Sequence, residues 1–80
     1  MDREIQEYYE NRFSTMATQG WKDFIEDVQA LYNVYTNVDT VNSVEELYKR
    51  KGQLDILQWV LSSKIVSEQT YKELQNEDTI

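Results

Sequence analysis

With no histidine and no cysteine among its 80 residues, this chain can do chemistry only through carboxylates, amines, hydroxyls and aromatic rings. Histidine general-base catalysis, thiol nucleophiles and soft-metal sites fall away at once. Acids are abundant and occur in adjacent pairs at Glu26-Asp27, Glu45-Glu46 and Glu77-Asp78. Neighbours on a helix point about 100° apart, so none of these pairs forms an acid–base dyad or a chelating pair. Asp23 and Asp27, four apart, share a face and could hold a divalent cation weakly, but surface solvation accounts for them more simply. No Gly-rich phosphate loop, Ser-x-x-Lys pair, EF-hand spacing or zinc-type spacing appears. The chain reads as a non-enzyme with no catalytic residues, no metal and no cofactor.

Six tyrosines and two tryptophans would suit a stacking platform for single-stranded nucleic acid. Such a platform needs positive charge around the rings, and here 15 acids face 8 bases, a net charge of -7. No nucleic acid and no anionic membrane surface is therefore expected as a partner. At helical spacing the stripe Trp21, Phe24, Tyr32 and Tyr35 reads first as core, with tyrosine also suited to subunit interfaces. Lys49-Arg50-Lys51 is a local basic run. It is either a solvated helix face offsetting Glu45 and Glu46 or a docking patch for an acidic surface, including another copy of this chain.

The elements that must position these residues are helices, and the fold class is all-α. Proline is absent and glycine occurs twice, so breaks are few. Trp21, Phe24, Ile25, Val28, Leu31, Tyr32 and Tyr35 recur at steps of three and four, and Ile5, Tyr8, Tyr9 and Phe13 do the same upstream. Ser43-Val44-Glu45-Glu46 is a capping box that opens the longest helix. Ser67-Glu68-Gln69-Thr70 reads as a further N-terminus, with Val66 and Tyr71 as its hydrophobic staple, and Gly20 marks another boundary. Residues 37–42 are β-branched or Asn/Asp and favour turn or extended backbone.

The spacing thus predicts one helical domain over 1–80, with helices near 2–16, 21–36, 44–62 and 68–76. The two long ones should pack as an antiparallel hairpin, flanked by short N- and C-terminal helices. Gly52, inside the third helix, calls for a close backbone approach or a bend, or is a tolerated defect.

An 80-residue monomer buries only about 60% of its unfolded surface, a marginal core that no disulfide or zinc can staple here. Yet Leu54, Ile56, Leu57, Trp59, Val60 and Leu61 place apolar groups nearly all round one helix. A helix apolar on every side must be buried on every side, which implies self-association or a partner. Leu54, Leu57 and Leu61 should face the second helix. Ile56, Trp59 and Val60, with the basic run Lys49, Arg50 and Lys51, are the expected partner interface. Met1-Asp2-Arg3-Glu4 leads into no apolar run, so no signal peptide is expected, and no stretch is long and apolar enough to span a bilayer.

Several runs resemble short proteins encoded by tailed bacteriophages, particularly short-tailed, T7-like ones. They are Tyr8-Tyr9 with Phe13, Gly20-Trp21-Lys22-Asp23-Phe24 with Glu26-Asp27, Glu46-Leu47-Tyr48, and Arg50-Lys51-Gly52-Gln53-Leu54-Asp55-Ile56-Leu57. The resemblance covers about half the chain and carries no catalytic signature. It implies a small phage protein made in a bacterial cytoplasm and ending in or near the virion. The expected role is then structural or assembly work, through self-association or docking to a larger virion component. The alternative is an acidic regulator that binds and inhibits a host protein, although its acids are interspersed with bases rather than massed on one side.

Overall fold

The computed structural model describes residues 1–78; the side chain of Asp78, and with it the Glu77-Asp78 pair, lies outside that description. Among the described residues four helices follow one another: α1 (Arg3–Met16), α2 (Gln19–Tyr35), α3 (Val44–Leu61) and α4 (Ser63–Asp78). A 3-10 turn, Val38–Thr40, lies between α2 and α3, and no strand occurs among the described residues. The all-α class follows from the sequence pattern, and so do the spans of the first three helices to within two residues.

Each helix start has a local cause. Asp2 caps α1, its Oδ1 accepting the Glu4 N–H at 2.9 Å, which satisfies a donor that has no partner within the helix. Thr18 does the same for α2: its hydroxyl accepts the Trp21 N–H at 3.2 Å and donates to the Thr15 carbonyl at 2.7 Å. Gly20 is therefore not a boundary but a residue of the first turn. At α3 the capping box forms with a variation. Ser43 Oγ accepts the Glu46 N–H at 3.1 Å, while Glu46 Oε2 reaches one residue past the cap to the Asn42 N–H at 2.8 Å. The turn has its own cap, Asn37 Oδ1 accepting the Asp39 N–H at 3.1 Å, and Val41 after it is extended.

The fourth helix departs from expectation. It starts at Ser63 rather than near residue 68, and its first turn closes through the Val66 N–H on the Ser62 carbonyl at 3.0 Å. Ser67 is no cap. It lies inside the helix, 3% exposed, and its hydroxyl accepts from Arg12 Nη1 at 3.1 Å. Nor is Tyr71 half of a staple, since Val66 is exposed and Tyr71 packs elsewhere.

The chain gathers into two units, one made by Met1–Lys22 with the segment from Ser62 onward and the other by Asp23–Leu61. In the first unit α1 packs on α4. The Tyr71 ring stands 5.5 Å from Tyr9 and 5.6 Å from Phe13, the latter edge-on, as ring quadrupoles prefer. Arg12 lies over the Tyr8 ring at 4.7 Å, hydrogen-bonds the Tyr8 hydroxyl, and reaches Ser67 on α4. Met16 is buried. In the second unit Val28 of α2 is buried, and Leu54, Leu57 and Leu61 of α3 are half-buried.

Candidate functional site

The second unit carries every residue that the sequence marks for partner binding. Its centre is Arg50. From the middle of α3 its Nη1 donates to the Tyr35 carbonyl at 3.1 Å, the Asn37 carbonyl at 3.3 Å and Thr40 Oγ1 at 3.2 Å. Its guanidinium also sits 5.1 Å from the centre of the Tyr35 ring. One cation thus satisfies carbonyls left over at the C-terminal end of α2 and in the following turn, where the helix dipole also favours positive charge. Arg50, expected from the sequence at the partner interface, is half-buried and engaged within its own chain. The sequence hides this role because Arg50 stands between two lysines that look like it.

Lys49 and Lys51 are exposed, as the solvated-face and docking-patch readings both require. Ile56 is 65% exposed and Trp59 69% exposed, and upstream on the same helix Tyr48 is 71% exposed. Val60 is half-buried. Consecutive residues on a helix are about 100° apart, so Val60 turns away from the direction that Trp59 takes.

Around Arg50 the surface is concave. A mostly apolar groove is lined by Tyr35, Lys49, Gly52, Gln53, Ile56 and Leu57. A polar depression beside it is lined by Thr40, Asn42, Glu46, Lys49, Arg50 and others, and a third by Asn33, Val34, Asn37 and neighbours. All three share Tyr35. Gly52 lies at the first of these, and among the described residues nothing stands within 4 Å of where its Cβ would be. Neither a close backbone approach within the chain nor a left-handed backbone explains the glycine.

α2 adds a second apolar surface to this unit. Phe24, Leu31 and Val34 are exposed and share one face of the helix. Asp27 lies among them and is exposed too. Chemically, such an arrangement offers apolar contact area edged by isolated charges, the composition of a surface that binds another protein.

Among the described residues no helix is long and apolar enough to cross a membrane. No protein-family model, curated protein or solved structure matches the chain.

Proposed function

We propose that this chain is a non-catalytic binding protein that works through its helices, associating with itself or docking to a larger component. The observation that carries this reading is the outward exposure of Tyr48, Ile56 and Trp59 along α3. Three large apolar side chains held in water on a regular helix gain most when another protein covers them. The finer arrangement belongs to the same proposal: α2 and α3 run as an antiparallel hairpin, joined by the 3-10 turn and tied by Arg50, and this hairpin displays the binding surface.

The phage resemblance extends the reading to a structural or assembly role, in the virion or in the host cytoplasm before packaging. Nucleic acid and membrane are not the partners in this reading, since the net charge of -7 opposes both. Sedimentation equilibrium of the purified chain tests self-association, and mass spectrometry of purified particles tests the virion role. A chain that stays monomeric up to high concentration and is missing from particles would sink the reading.

A further inference from the structure

We propose that a second copy of this chain docks its α2 stripe into the α3 groove beside Gly52, and that the exchange is mutual. The inference rests on the self-association reading above and names the surfaces that meet. Glycine is disfavoured in a helix interior relative to alanine, and among the described residues nothing comes within 4 Å of where a Gly52 Cβ would stand. That space is open toward the groove, where a side chain from outside can approach the α3 backbone closely. The groove is apolar apart from Gln53 and Lys49, and Lys49 opens the run that gathers three of the chain's eight bases.

Its occupant must therefore be apolar with an acidic member. The α2 stripe meets that description: Phe24, Leu31 and Val34 are exposed on one face, with the Asp27 carboxylate between them. Groove and stripe lie in the same unit, Asp23–Leu61, so every copy presents both. Two copies related by a two-fold axis can each insert a stripe and receive one, which closes the contact at a dimer.

The test is sedimentation equilibrium of the full chain carrying Gly52→Leu, Asp27→Lys, Lys49→Glu, and the last two together, with circular-dichroism melts at dilution. Gly52→Leu should fill the groove and weaken association roughly tenfold or more without lowering the melting temperature of the dilute chain. Asp27→Lys and Lys49→Glu should each weaken association several-fold, about what reversing one charge of an exposed pair does, and the double variant should restore it. Association of the natural sequence that persists unchanged in Gly52→Leu, or that the double variant fails to restore, overturns this docking while leaving self-association standing. A natural sequence that is monomeric throughout overturns both.

Discussion

Arg12 and Arg50 have the same task in different units: each brings a guanidinium onto a tyrosine ring and spends its donors on oxygen atoms of another element. Replacing Arg12 by alanine leaves the buried Ser67 hydroxyl without that donor and removes the cover over Tyr8. The expected cost is about 1–3 kcal/mol in a urea titration, and Arg12→Lys should recover only part of it because an ammonium lacks the planar fork. Ser43→Ala removes the hydroxyl that accepts the Glu46 N–H and should cost roughly 1 kcal/mol. An unchanged denaturation midpoint would show that α3 does not depend on that cap. Gly52→Ala works in the opposite sense. Its added methyl meets nothing among the described residues, so the free chain should gain up to about 1 kcal/mol, read as a higher midpoint in the same titration.

Between elements, the contact that the structure makes most of is α1 on α4, centred on Tyr71 against Tyr9 and Phe13. Tyr71→Ala should cost about 2 kcal/mol, below the range for a fully buried ring because Tyr71 is only half-buried. Hydrogen exchange should accelerate in α1 and α4 together; acceleration confined to α4 would mean that α1 holds without it. The first three helices were legible in the sequence because spacing at three and four, together with the capping box at Ser43, is local information. The partner of α1 was not. On α4 two of the four inward residues, Ser67 and Thr70, are small and polar, which leaves only Tyr71 and Leu74 and no continuous apolar stripe for periodicity to find. The same polar character made Ser67 look like a cap when it is the acceptor for an arginine 55 residues away. Arg50 was hidden for a related reason: nothing in a run of three bases tells which one the fold will use.

For the molecule as a whole, the balance between core and surface decides how it must live. Among the described residues the buried apolar ones are Met16 and Val28, while Trp59, Tyr48 and Ile56 are exposed. A fold with so little interior gains stability by mass action from any partner that binds the native state only. Self-association should therefore appear as a melting temperature that rises with protein concentration. Trp59 and Leu54 separate the two contributions, since Trp59 is 69% exposed while Leu54, on the same helix, is half-buried and outside the groove. Trp59→Ala should weaken association by roughly 2 kcal/mol or more and flatten the concentration dependence, because aromatic anchors dominate interface energies. Leu54→Ala should instead lower the melting temperature at every concentration, by an amount set by the cavity it leaves. Sedimentation equilibrium and melts on both variants read the two effects side by side. If Trp59→Ala collapses the fold and leaves the association state intact, Trp59 serves the chain's own stability and another surface holds the partner.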